Sequence, residues 1–243
     1  MTMVKKTLSS RRGAAAKAQS TAKALSTAPK RKRDAEQSRR LILETALRHF
    51  ATKGYDGARV DDIVAETHLS KNMLYHYYGS KEELFVAVLE TIYERFRGRH
   101  GEIAIAELEP VEALRQLVAE TAKALIRTPE IISILNTENL YKAAHIKSSK
   151  KIRMIYDPLF GDLGRVLEKG QKAGVFRAEI EPLQLYISLS SLVYHYLSNG
   201  YTLSVILRQN LLSRQNVAER ISHVEEMVLR FCVRPELAAK YIG

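Results

Sequence analysis

A single cysteine, Cys232, occurs in the 243 residues. No intrachain disulfide can form, and the chain suits a reducing, cytoplasmic compartment. Cys232 lies in an apolar helical stretch, the setting of a core side chain rather than a reactive thiol. No apolar run approaches the roughly 20 residues that cross a bilayer, so no membrane partner is expected. The basic start MTMVKKTLSSRRGAAAKAQSTAKA lacks the apolar segment of a secretory signal. Histidines at 49, 68, 76, 100, 145, 195 and 223 show no metal-ligand spacing. No GxGxxG, Walker A or GxSxG run occurs, and Ser148-Ser149-Lys150-Lys151 matches Ser-x-x-Lys without partner motifs. Metal, cofactor and enzymatic activity are therefore not expected.

Acidic residues are missing from positions 1–33, which carry ten basic side chains ending in Lys30, Arg31, Lys32 and Arg33. The other 210 residues hold 28 basic and 27 acidic groups, so the net charge of +11 belongs to a tail. Rich in Ala, Ser, Thr and Lys, residues 1–33 cannot bury enough surface to offset their ordering entropy, and disorder is expected. Their charge suits an arm lying over nucleic-acid phosphates. Pro29 to Arg33 also has the composition of a nuclear-import signal.

From Asp34 onward the pattern is helical throughout. Asp34 with Gln37 reads as a capping box, Ile42, Ala46 and Phe50 as a buried face, and Gly54 as a stop. Val60, Ile63 and Val64 form a second apolar stripe. Ser70 then caps a short helix, Lys71 to Tyr78, that turns Leu74 and Tyr78 inward and leaves polar groups outside. Two short helices so joined suit a helix-turn-helix, with cationic, amide and aromatic groups placed for base edges and phosphates. A second capping box, Ser80 with Glu83, opens a helix to about Gly98 whose buried face is Leu84, Val88, Ile92 and Phe96. Further helices are expected at about 110–127, 129–146, 148–173 (kinked or split at Pro158), 182–199 and 213–233, with a shorter piece at 202–209. The expected class is all-α, with about nine helices.

Phe50, Gly54-Tyr55, Asp62-Ile63, Leu74-Tyr75, Tyr78 and Ser80-Lys81-Glu82-Glu83-Leu84 resemble the N-terminal domain of the tetracycline-repressor (TetR) family, over about Gln37 to Leu89. The resemblance implies a basic arm at 1–33, a helix-turn-helix DNA-binding domain at 34–98, and a helical ligand-binding and dimerisation domain at 99–243. By position, Tyr75, Tyr77 and Lys81 are expected on phosphates of double-stranded operator DNA. Lys71, Asn72 and His76 are expected on bases, Asn72 with adenine. Arg59 stands where the family usually has a capping hydroxyl, and a phosphate contact is expected there. Met73 replaces a threonine that commonly touches phosphate, and is excluded.

Polar aromatics gather in the C-terminal half, and Tyr141, His145, Tyr156, Tyr194 and His195 are the candidates for a small-molecule effector pocket. Relatives pair two C-terminal helices of each subunit into a four-helix bundle. Here that assigns Leu185, Leu189, Leu192, Val193 and Tyr196 with Ile221, Val224, Val228 and Phe231 to a homodimer interface. The segments NTENLYKAAHIKSSKKIR and LYISLSSLVYHYLSN also resemble regulators of nicotinate and pyrimidine catabolism. The expected function is a transcriptional repressor released by an effector. The alternatives are a ligand-independent architectural or partner-binding DNA protein, or an activator on the same scaffold.

Overall fold

The computed structural model describes residues 33–97 and 105–242. Eleven α-helices follow one another: α1 (33–57), α2 (Val60–Thr67), α3 (Lys71–Tyr78), α4 (Lys81–Arg97), α5 (Pro110–Arg127), α6 (Glu130–Leu140), α7 (Lys150–Lys172), α8 (Pro182–Ser198), α9 (Gly200–Ile206), α10 (Arg214–Cys232) and α11 (Ala238–Tyr241). Among the described residues the sole β pairing is one antiparallel bridge, Phe176 to Val233. The fold is all-α, as expected. The count exceeds nine by two short elements, α9, foreseen as a short piece, and α11.

Helices α1 to α4 build a small head. Ile42, Ala46 and Phe50 of α1, Ile63 of α2, Leu74 of α3 and Phe85 of α4 are wholly buried together. The Phe50 and Phe85 rings meet edge to face with centroids 4.9 Å apart. Removing either large ring costs about 3–5 kcal/mol in a close-packed core. Local chemistry fixes the angles between these short helices. The Ser70 hydroxyl accepts the Met73 N–H at 3.2 Å and the Ser80 hydroxyl accepts the Glu83 N–H at 3.0 Å. Each such cap is worth about 1 kcal/mol. Gly79, at φ +68°, makes the reversal between α3 and α4 that a side chain would strain.

The larger body stacks α5 against α7, α8 and α10, while α4 reaches down to pack on α6 and α7. The end of α10 is tied to the segment after α7: the Arg177 N–H donates to the Cys232 carbonyl at 2.9 Å and the Arg234 N–H to the Val175 carbonyl at 2.9 Å. Arg115 joins the Glu225 carboxylate and donates to the Tyr241 carbonyl at 2.6 Å. Among the described residues no helix is long and apolar enough to cross a membrane.

Four local expectations change. The first described residue, Arg33, is already helical, so Asp34 lies inside α1 and does not cap it. The rest of the expected arm, residues 1–32, lies outside the described residues. Gly54 takes the left-handed φ of +68° as a stop residue would, yet helical bonding continues to 57. Helix α7 runs through Pro158 unbroken. Pro158 is exposed and Met154, whose carbonyl loses its N–H partner, is 69% exposed, so water can take that bond. Finally, α6 ends at Leu140 rather than near 146, because the buried Glu138 carboxylate accepts the N–H groups of His145 and Ile146, each at 2.9 Å. Capturing them takes those donors out of the helical ladder.

Candidate functional site

Helix α3 presents the surface that the sequence pointed to. Leu74 and Tyr78 anchor it, the Tyr78 hydroxyl donating to the Arg39 carbonyl of α1 at 2.8 Å. Lys71, Asn72, Tyr75 and His76 are exposed, and Tyr77 is half-buried with its ring 5.4 Å from that of His76. Arg59, the residue before α2, is exposed. Lys71 is not idle: its ammonium pairs with Asp61 of α2 at 2.7 Å, and this bond raises its pKa. One of its three N–H donors is engaged in this way. Asn72 makes no side-chain hydrogen bond among the described residues and keeps both amide ends available.

Lys81 differs from the others. It is half-buried at the start of α4, its ammonium 4.7 Å from the Tyr55 ring centroid and 3.4 Å from the Asp56 carbonyl. Those two residues meet the body. The Tyr141 hydroxyl donates to the Asp56 carboxylate, and this bond pushes the phenol pKa up to about 12. Tyr141 therefore stays a donor at all physiological pH. The His145 ring packs on Tyr55 at 4.6 Å and on Phe85 at 4.9 Å. His145 is itself held by Glu138, Nδ1 to carboxylate 2.8 Å, both residues buried. Just before it, Lys142 and Ala143 sit at φ +55° and +61°. Each costs about 1–2 kcal/mol for a residue with a Cβ. A strained segment thus joins body to head.

This placement separates the five residues assigned to an effector pocket. Tyr141 and His145 belong to the joint between head and body. Tyr194 is half-buried and donates to the Asn136 side chain at 2.8 Å, and His195 is exposed on α8. Tyr156 lines a cleft of about 330 Å³ between α4 and α7. Its ring lies 4.6 Å from the buried Arg97 guanidinium, and burial pushes its phenol up to about 12. A broader open cleft of about 1060 Å³ lies among α1, α5, α6, α8, α9 and α10, lined by Ile126, Asn136 and Tyr201 among others.

The residues assigned to the dimer face also divide. Leu185, Leu189, Val193, Val224 and Val228 are each at most 4% exposed within one protomer, on helices that pack against α5. Leu185 and Val228 also line an open groove with Leu192, Met227 and Phe231. Leu192, Tyr196 and Ile221 are half-buried, and the Tyr196 hydroxyl donates to the Leu211 carbonyl at 2.7 Å. Phe231 is 53% exposed, with Met227 of the same helix lining one groove with it. Periodicity alone passed over Met227 and, on α8, Leu183 and Ile187, all between 43% and 48% exposed. The i, i+4 spacing of Leu183 and Ile187 was the available signal, hidden because α8 carries a second apolar stripe. Asp56, Glu138 and Tyr55 were likewise missed as a joint, since their contacts span 80 residues or more of sequence or depend on a loop.

The same division of the chain emerges from comparison with known proteins. Residues 42–88 match the model of bacterial regulatory proteins of the tetR family, and residues 110–228 match a tetracyclin repressor-like C-terminal domain. The transcriptional repressor NicS of Pseudomonas putida is 35% identical over 82% of this chain and 94% of its own length. RutR of Escherichia coli, a transcriptional regulator, is 24% identical over 85% of this chain and 95% of its own. In fold, the chain is similar to a transcriptional regulator from Saccharomonospora viridis solved in complex with choline, with TM-score 0.59 and 24% identity over 82% of this chain and 99% of that one. A TetR regulator from Chloroflexus aurantiacus gives TM-score 0.61 and 19% identity over 83% and 98%. A helix-turn-helix head on a helical body, matched over four-fifths of the chain by a named repressor, places this chain in the TetR family of bacterial transcriptional regulators.

Proposed function

We propose that this protein is a homodimeric repressor that holds a near-palindromic operator and lets go when a small molecule occupies its body. The observation that carries the reading is the α3 surface, where Lys71, Asn72, Tyr75 and His76 project from a helix pinned by Leu74 and Tyr78. A helix of eight residues covers too little of a major groove to bind tightly alone, so two copies on two half-sites are needed. Asn72 reads adenine and Lys71 reaches a base, with His76 beside them. Arg59, Tyr75, Tyr77 and Lys81 hold phosphates, and residues 1–33 add a basic arm over the backbone.

The dimer forms through the outer faces of α8 and α10, around Ile187 and Phe231, with Leu192 at the edge of the buried stripe. Release follows the joint. Lys81 is supported by Tyr55 and Asp56, which lean on His145 and Tyr141, so a shift of the 141–149 segment moves a phosphate contact. An effector must bind the released form better. Moving the population from 1:99 to 99:1 takes about 5.5 kcal/mol of differential binding. Footprinting on the DNA flanking the gene tests the reading. One short protected site with twofold symmetry supports it, and diffuse protection at all sequences would favour an architectural protein instead.

A further inference from the structure

The carboxylates of α2 divide by partner. Asp62 pairs with Lys53 at 2.9 Å, and Glu66 meets Arg48 at 2.6 Å and His49 at 2.8 Å, all on α1. These bonds tie α2 to the rest of the head. Asp61 turns the other way and meets Lys71, the first residue of α3, at 2.7 Å. Both side chains are open to solvent, Asp61 65% exposed and Lys71 48%. An exposed pair of this kind adds little to a fold. Its place is on the helix that carries Asn72 and His76, where it bears on reading rather than on stability.

Lys71 stands where a cation is least favoured. The free N–H groups of a helix start carry partial positive charge, and the first turn of α3 has no acid of its own. A four-carbon stem also leaves the ammonium many rotamers. Asp61 supplies the missing negative charge from the neighbouring helix and fixes where the ammonium sits. One N–H of Lys71 goes to that carboxylate, and two remain for other acceptors.

We propose that Asp61 is a positioning residue for sequence reading, which holds the Lys71 ammonium ready for an acceptor on a base edge and keeps it off the phosphates. Guanine offers such acceptors, O6 and N7, in the major groove. An ammonium released from its carboxylate follows the nearest phosphate instead, a contact that carries no sequence information. Removing the charge of Asp61 therefore trades specificity for general affinity. This assignment rests on the reading of α3 as the operator-binding helix.

The test uses full-length protein and two duplexes of equal length, one enriched from a random library by the wild-type chain and one a scramble of it. Asp61→Asn keeps an acceptor and drops the charge, and melting should change little because the pair is exposed. Affinity for the scramble should rise, and the slope of log K against log salt should steepen by about 0.9 for each Lys71 that moves to a phosphate. The ratio of enriched to scrambled affinity should fall about threefold for each half-site, roughly tenfold for two. The same substitution in a Lys71→Met chain separates positioning from plain repulsion, and there it should alter neither slope nor ratio. An unchanged ratio for Asp61→Asn in the wild-type background overturns the assignment while the operator reading stands. So does a rise on the scramble that persists without Lys71, because Asp61 would then act by its own charge alone. A wild-type chain that enriches no duplex overturns the operator reading itself, and the assignment falls with it.

Discussion

The head and the body are packed by the same rules but turn opposite chemistries outward. On α3 the residues beyond the buried stripe are Lys71, Asn72, Tyr75 and His76. On α8 and α10 they include Leu183, Ile187, Met227 and Phe231. Both helices have a satisfied inner face, so what remains outside decides the partner. Hydrogen-bonding and cationic groups suit a nucleic-acid duplex. Apolar groups, costly to leave in water at about 25 cal/mol per Å², suit another apolar surface, which in the proposed dimer a second copy of the chain supplies.

The largest effect should come from confusing the inner and outer faces of α10. Val228→Glu puts a charge where the side chain is 4% exposed. The expected loss of stability is on the order of 4 kcal/mol, seen as a collapse of the helical signal on mild denaturation. Ile187→Glu with Phe231→Glu changes the outer face instead, and Glu at 231 would meet Arg177, whose guanidinium lies 4.3 Å from the Phe231 ring centroid. Sedimentation should then show helical monomers with melting little changed. Dimers from the outer-face pair, or a well-folded Val228→Glu, would erase the distinction drawn here.

Within the head, Asn72→Ala should cost about 1–3 kcal/mol on the preferred site and far less on random duplex. Lys81→Ala should weaken both alike, as a phosphate contact does. Equal losses for Asn72→Ala on both DNAs would remove it from base reading. A smaller effect is expected at the joint. Tyr141→Phe removes one exposed bond to Asp56 and should loosen operator binding modestly while sparing dimerisation. Unchanged affinity would show that head and body are not coupled there. The smallest is at Cys232, fully buried, where burial pushes the thiol up to about 12. Because thiolate is the reactive form and its pKa is raised, maleimide should not label native protein at pH 8 but should label it once unfolded.

How much of this was legible in the sequence follows the same boundary. The head is written in local signals: Ser70 and Ser80 as caps, Leu74 and Tyr78 four apart. Each acts within a few residues, so it can be read without knowing the fold. The body depends on distant partners. Helix α8 carries Leu185, Leu189 and Val193 on one side and Leu183 and Ile187 on another. Periodicity shows that both stripes exist and cannot say which one meets α5. The end of α6 was misplaced for a related reason. Glu138 captures two backbone N–H groups seven and eight residues away, a choice that helix propensity does not encode. Tyr141 and His145 were chosen as polar aromatics, and their contacts with Asp56 and Tyr55 became visible only in three dimensions.

The central claim, that α3 reads sequence as one half of a twofold pair, is tested most directly by selection from a random duplex library, run with the wild-type chain and with Asn72→Ala under identical salt. The account predicts a single enriched palindromic motif for wild type and, for the variant, the same spacing with lost preference at one position in each half-site. Enrichment of no sequence at all, or an identical motif of undiminished stringency from Asn72→Ala, would contradict it.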